Sequence, residues 1–160
     1  MLKSFEKDFI SFCENQNLEI NINQITVIKK LEQYYQINYK SFFSKLFSKK
    51  ISQKGFYLYG DVGVGKTMIL NFFFERIENR KLRKHFNEFM LNFHDFAHES
   101  KEKSEENIIN LFVKDLKSKA SLIYFDEFQV TNIVDAMILG KLFDQIFKEN
   151  IKIIVTSNTK

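Results

Sequence analysis

Apolar side chains recur along the first third of the chain at spacings of three and four. Ile28, Leu31, Tyr35, Tyr39, Phe42 and Leu46 fall on one stripe, which predicts an amphipathic helix. Lys40, Lys45, Lys49 and Lys50 decorate the far side. One reading of that pattern is a basic, aromatic surface for a membrane or a nucleic acid. A helix packed on the core with solvated lysines is the commoner outcome. Residues 1–54 are therefore expected to form an N-terminal helical segment.

From residue 55 the period changes. Phe56-Tyr-Leu-Tyr59 predicts a short strand that runs straight into a glycine. Thr67 to Asn79 predicts a helix with Ile69, Leu70, Phe73 and Ile77 on its apolar face. A strand near Arg83–Phe86 rests on poor periodicity. Asn87–His98 reads as a helix, Glu99–Asn107 as a solvated charged loop and Ile108–Lys117 as a further helix. Leu122-Ile-Tyr-Phe125 is fully apolar with a charged end, as a buried parallel strand should be. Ile133, Met137, Leu139, Leu142, Phe143 and Ile146 place a helix at about 131–148, and Ile151–Thr156 is the last strand. Strands and helices in alternation indicate an α/β fold with a parallel sheet over residues 55–160. There is no internal repeat and no Pro/Gly linker to mark a hard domain boundary.

Composition narrows the class. A chain of 160 residues, 44% hydrophobic and 28% charged, suits one soluble domain with a real core. No apolar run approaches the ~18 residues of a membrane span. Glu6 and Asp8 argue against a secretory signal or an acidic-poor transit peptide. Cys13 is the only cysteine, so an internal disulfide is excluded and a reducing cytoplasm fits best. A net charge of +4 permits an acidic partner or an anionic membrane surface without demanding nucleic acid. The absence of proline and the 19 phenylalanines match the codon drift of an AT-rich genome.

The glycines carry more. Of five, four (Gly55, Gly60, Gly63, Gly65) fall within eleven residues. Gly60-Asp61-Val62-Gly63-Val64-Gly65-Lys66-Thr67 fits G-x-x-x-x-G-K-[ST] without a gap. Such a loop wraps phosphates with inward-pointing N–H groups, which side chains at the glycines would block. Lys66 would supply positive charge to the β- and γ-phosphates, Thr67 a hydroxyl to Mg2+, and the next helix its N-terminal dipole. Asp126-Glu127 follows the apolar strand about sixty residues downstream. A carboxylate at that strand end, Asp126, would hold Mg2+, and the second, Glu127, would polarise the attacking water. Thr156-Ser-Asn158 ends the neighbouring strand, where a polar side chain would reach the γ-phosphate or the water. His94 and His98 have a zinc-like i, i+4 spacing, but no third ligand is in view with His85 or Cys13, and surface or packing roles are favoured.

Gly55 to Phe74, His85-Phe-Asn-Glu-Phe-Met90 with His94, Tyr124-Phe-Asp-Glu-Phe-Gln-Val-Thr131, Asp135-Ala-Met-Ile-Leu139 and Thr156-Ser-Asn158 together resemble the ZapE-type cell-division ATPases and their mitochondrial relatives of the Lace/Afg group. The resemblance spans Gly55 to Asn158. It implies an AAA-like P-loop ATP hydrolase with a parallel sheet and flanking helices. Lys66 and Thr67 would be its nucleotide-loop pair, Asp126 and Glu127 its magnesium and water pair, and Asn158 its sensor. It also implies a cytoplasmic bacterial protein, homo-oligomeric when full length, acting on an FtsZ-type division partner, with room for peripheral association at the inner membrane or septum. Nucleic acid is not the expected partner. Asn87 stands where the family usually has a histidine, and Asn132 where it usually has Asp. The family continues past this point with a proline-containing segment, an arginine finger, a last strand and a lid, so the chain reads as truncated before them. Arg76, Arg80 and Arg83 lie on the wrong part of the sheet for that finger. Two rivals stand beside this reading: a DNA-associated helicase loader or initiator ATPase, and a truncated nucleotide-binding module that does not turn over.

Overall fold

The computed structural model of the chain describes residues 4–39, 53–102 and 104–159. Lys40, Phe42, Lys45, Leu46, Lys49 and Lys50, the second half of the expected amphipathic stripe, lie outside them. The chain divides into two compact units, Met1–Phe56 with Gly63–Glu78, and Tyr57–Val62 with Asn79–Lys160.

The first unit is helical. It holds α1 (Phe5–Asn15), α2 (Ile22–Tyr39) and α3 (Lys66–Arg76). Asn17 takes a left-handed φ of 52° in the turn between α1 and α2, a conformation asparagine tolerates better than most residues. The Asn21 side chain accepts from the Asn23 N–H and starts α2. Aromatic rings fill the interior: Phe9 meets Phe72 edge-on at 4.9 Å and Phe5 meets Phe73 at 5.7 Å. On α2, Ile28, Leu31 and Tyr34 are buried. Tyr35 and Tyr39, expected on that stripe, are only half-buried, because the face turns through Tyr34. The third helix ends at Arg76, not Asn79. Ile77 switches to an extended ψ of 140° yet stays buried, so apolar spacing continues past the helix itself.

The second unit is a four-stranded sheet with helices. Its strands are β1 (Gly55–Tyr59, of which Tyr57–Tyr59 belong to this unit), β2 (Lys81–His85), β3 (Leu122–Asp126) and β4 (Lys152–Ser157), in the order β1-β4-β3-β2. The pairs β2–β3 and β3–β4 are parallel, as expected for this α/β fold. Three helices connect them: α4 (Phe86–Glu99), α5 (Glu105–Lys119) and α6 (Ile133–Lys148). Every residue of β3 and β4 is buried, which explains their continuous apolar runs. Phe86, Phe89 and Phe93 of α4, Phe112 of α5, and Leu142 and Ile146 of α6 pack with Ile123, Phe125, Ile153 and Val155 of the sheet.

In this unit the starts of three elements differ from the sequence pattern. The second strand runs Lys81–His85 rather than Arg83–Phe86; with Leu82 its only apolar residue, an end strand gives little periodic signal, and Phe86 opens the next helix. The fifth helix starts at Glu105, inside the expected charged loop. Glu105 and Glu106 occupy its first turn, where acidic side chains face the positive helix end. The sixth helix starts at Ile133, with the Asn132 side chain accepting from the Val134 N–H at 2.9 Å. Among the described residues no helix is long and apolar enough to cross a membrane.

The Asn132 cap accounts for one unusual residue: an aspartate there would accept the same hydrogen bond. Asn132→Asp should therefore leave stability within a few tenths of a kcal/mol, whereas Asn132→Ala should cost about 0.5–2 kcal/mol. Urea denaturation of both variants reads the difference, and equal midpoints for Ala and Asp would show that the cap is idle.

Candidate functional site

In the first unit the phosphate-loop motif is set by backbone geometry. Gly63 and Gly65 both have φ of +85°, the left-handed region that side chains disfavour. Gly65 is the N-cap of α3, and Lys66, 9% exposed, is its first residue. The first helical hydrogen bond runs from the Ile69 N–H to the Gly65 carbonyl at 3.0 Å. The N–H groups of Lys66, Thr67 and Met68 precede it and have no intrahelical acceptor. Val64 is exposed, as is Thr67. Anions bind at such an end through those donors and the helix dipole.

In the second unit the loop begins beside the end of β4. The Gly60 N–H donates to the Ser157 carbonyl at 3.3 Å, and the Tyr57 hydroxyl donates to the Thr159 carbonyl at 2.6 Å. Asp61 and Val62 follow, both exposed.

Asp126 closes β3 and is 4% exposed. The Thr156 hydroxyl donates to its Oδ1 at 2.8 Å and the Arg83 guanidinium to its Oδ2 at 2.5 Å. Burial pushes the Asp126 carboxyl up, but the hydrogen bonds from Arg83 and Thr156 outweigh it and hold the group below the usual carboxylate range. It is therefore ionised near neutrality. Glu127 next to it has the opposite setting. Its side chain is 78% exposed and its backbone φ is +54°, an uncommon conformation for a residue with a side chain. Two contacts to Thr156 hold it there: the Glu127 N–H donates to Thr156 Oγ1 at 3.3 Å, and the Phe128 N–H to the Thr156 carbonyl at 2.7 Å. His85 Nδ1 stands 4.0 Å from Glu127 Oε2, both groups exposed.

The residues fit a hard divalent cation. Both Asp126 oxygens accept hydrogen bonds, from Thr156 and Arg83, and a carboxylate oxygen so engaged retains acceptor capacity; Mg2+ typically takes one or two carboxylates with hydroxyl, phosphate and water oxygens. In the first unit, taken by itself, Thr67 carries an exposed hydroxyl. Among the described residues no group of three or more His, Cys, Asp and Glu side chains is placed to hold a metal. His94 Nε2 instead meets Asp135 Oδ1 at 2.7 Å, tying α4 to α6.

Sequence spacing anticipated Asp126 and Glu127 but not their supports. Thr156 engages the Asp126 carboxylate and the Glu127 N–H, while Asn158 lies exposed beyond β4. A parallel register of Phe125 with Val155 puts Thr156 next to Asp126, so strand pairing was the available signal. The arginines all have internal partners. Arg76 stacks over Phe72 at 3.5 Å, Arg80 donates to the Ser118 carbonyl, and Arg83 holds Asp126.

Comparison with known proteins gives the family and the fold. The AFG1-like ATPase family model matches residues 12–160. Lactation elevated protein 1 homolog B of Danio rerio is 40% identical over 121 residues, covering 69% of this chain and 24% of that protein. Cell division protein ZapE of Escherichia coli is 33% identical over 112 residues, covering 69% of this chain and 29% of its own length. The chain thus spans about a quarter of the curated relatives it matches. In fold it is similar to AMPPCP-bound DnaA from Aquifex aeolicus (TM-score 0.57, 14% identity, 90% of this chain and 41% of that one). It is also similar to DnaI (TM-score 0.55, 22% identity, 91% and 71%). The chain belongs to the AFG1-like ATPase family, and its fold is that of P-loop AAA-type ATPases.

The Thr156 bridge can be tested without any ligand. Thr156→Val keeps the shape but removes the donor to a buried carboxylate and the acceptor for the Glu127 N–H. It should cost about 1.5–3 kcal/mol, the scale of hydrogen bonds to charged groups. A urea midpoint unchanged from the parent would mean that Thr156 does not hold the turn.

Proposed function

We propose that this member of the AFG1-like ATPase family forms the nucleotide-binding part of a magnesium-dependent ATP hydrolase that drives a conformational change in a protein partner. The observation that carries the reading is the phosphate loop itself. Two left-handed glycines lead into the open N-terminus of α3, with Lys66 at its first position. That combination recognises phosphate chains and has no obvious structural use in a turn.

The roles follow from each residue's surroundings. The loop from Gly60 through Asp61, Val62, Gly63, Val64 and Gly65 offers N–H groups to the phosphates, and Lys66 adds charge. Thr67 and Asp126 are the proposed ligands of Mg2+, which when bound offsets charge on the transferring phosphate. Buried, ionised Asp126 is fixed by two donors, so it holds a position rather than moving a proton. Glu127, exposed and turned outward, accepts a proton from water as general base. Asn158, exposed just past β4, is the proposed sensor of the terminal phosphate.

The relatives suggest the setting. One is named a cell division protein, which supports a division protein as the partner; an FtsZ-type identity for it, a bacterial cytoplasmic location with peripheral contact at the inner membrane or septum, and homo-oligomeric assembly of the whole protein complete the proposal on the strength of the sequence resemblance alone. The fold alone is shared with DnaA and DnaI and does not choose between partners.

Two variants separate binding from chemistry. Lys66→Ala should weaken ATP binding by about 1.5–3 kcal/mol, read by titration with a fluorescent ATP analogue; equal affinities for variant and parent would sink the phosphate-loop assignment. Glu127→Gln in the full-length protein should keep ATP bound, since Lys66, Thr67 and Asp126 remain, and should abolish steady-state phosphate release. Turnover at the parent rate would remove Glu127 from the mechanism. A parent protein that binds ATP but releases no phosphate would favour a non-hydrolysing module.

A further inference from the structure

The first turn of α2 reaches the phosphate loop within the first unit. Gln24 Nε2 donates to the Val64 carbonyl at 3.1 Å. A Cβ added to Gly65 would lie 2.7 Å from the same Nε2 and 3.5 Å from the Met68 methyl. Gly65 is required for its left-handed φ, and an added Cβ would in addition displace the end of the Gln24 side chain from its place against the loop. No motif in the sequence marks Gln24; it falls between the apolar positions of an ordinary amphipathic helix.

The orientation of this amide is determined. A carbonyl only accepts, so the nitrogen must face Val64 and the oxygen must face away. That oxygen, Oε1, is buried and has no hydrogen-bond partner among the described residues. A buried acceptor without a donor is costly, and such atoms in native proteins call for a specific explanation. Phosphate oxygens cannot supply the donor, because they too are acceptors. The nucleoside half of a nucleotide can: adenine carries an exocyclic amino group, and ribose carries hydroxyls.

We propose that Gln24 is a nucleoside-reading residue, its Nε2 latched to Val64 and its Oε1 accepting a hydrogen bond from an N–H or O–H of the nucleoside held by the loop. The proposal rests on the ATP reading above and adds a residue from outside the motif. It gives the N-terminal helical segment a part in nucleotide selection. A base amino group and a ribose hydroxyl are the two possible sources of one donor chemistry. Inosine triphosphate lacks the first, having an oxo group in its place, and 2′-deoxy-ATP lacks one of the second.

The test is calorimetric titration of the parent chain and of Gln24→Met, which keeps length and flexibility but removes both polar atoms. The probes are ATP, inosine triphosphate, 2′-deoxy-ATP and inorganic tripolyphosphate. ATP affinity of the variant should fall roughly five- to tenfold, the scale of one hydrogen bond, while tripolyphosphate affinity falls much less. The parent should bind either inosine triphosphate or 2′-deoxy-ATP more weakly than ATP, and the weaker one identifies the donor. Equal losses for ATP and tripolyphosphate would show that Gln24 only shapes the loop, which overturns the proposal. So would a parent that binds all four probes alike, a comparison that needs no variant to fold. A parent that binds ATP and tripolyphosphate not at all overturns the nucleotide reading itself, and this proposal with it.

Discussion

A carboxylate buried at the end of a central strand constrains everything around it. Asp126 is 4% exposed, and an ionised group there is tolerable only while donors meet it. Those donors come from both neighbouring strands, Arg83 on β2 and Thr156 on β4. The register that sets His85 against Asp126 and Phe125 against Val155 is thus not free to slip. A shift of one residue in either neighbour would turn its donor to the other face of the sheet. Arg83 gains further support from the Tyr124 ring, 5.2 Å from its guanidinium carbon, an arrangement that keeps a long side chain from wandering.

The opposite face of the same strands enforces the same register by different means. Phe125 meets Phe89 at 4.6 Å and stacks on Phe143 at 6.1 Å, while Ile123, Ile153 and Val155 fill the space between helices. Phenylalanine brings a large apolar area with few rotamers and no polar atom to satisfy. A core this rich in it is therefore well specified by shape. The ring packing also reaches the site. Phe128 lies 4.5 Å from Phe86, and its N–H is held by the Thr156 carbonyl. The chain is thus clamped on both sides of Glu127, which is what allows a residue with a side chain to persist at φ +54°.

What could be read from the sequence was what depends on short stretches of chain. The phosphate loop is eight contiguous residues whose glycines announce their backbone angles, and β3 is an unbroken apolar run ending in charge. Both stand where the sequence put them. The parallel α/β order followed from alternation alone. What escaped depended on residues brought together from afar. Lys81–His85 carries charge at most of its positions, so its role as a strand appears only once it pairs with β3. Thr156 reads in the sequence as one polar residue among three at a strand end, with nothing local to tie it to Asp126. The parallel register makes Thr156 the neighbour of Asp126. Gln24 lies 40 residues from Val64, and no local pattern could connect the two. Asn132, unusual against the family pattern, proved to be a helix cap that asparagine fills as aspartate would.

The adjacency of Asp126 and Glu127 is the most informative feature of the site, because two like groups one residue apart have been given opposite environments. Had both carboxylates been buried, mutual repulsion would have driven one to bind a proton. Had both been exposed, neither would have a fixed position. The left-handed turn resolves this by reversing the chain direction at Glu127. One carboxylate stays inside the strand layer, with Arg83 and Thr156 holding it charged and still, and the other projects into solvent with His85 only a distant neighbour. Paired acidic residues whose surroundings separate them in this way divide their labour by environment rather than by chemistry. A fixed charge suits a cation, and a mobile, solvated carboxylate suits a water. The hydroxyl of Thr156 meets Asp126 Oδ1 and the Glu127 N–H, so that single group couples where the buried charge sits to which way Glu127 points.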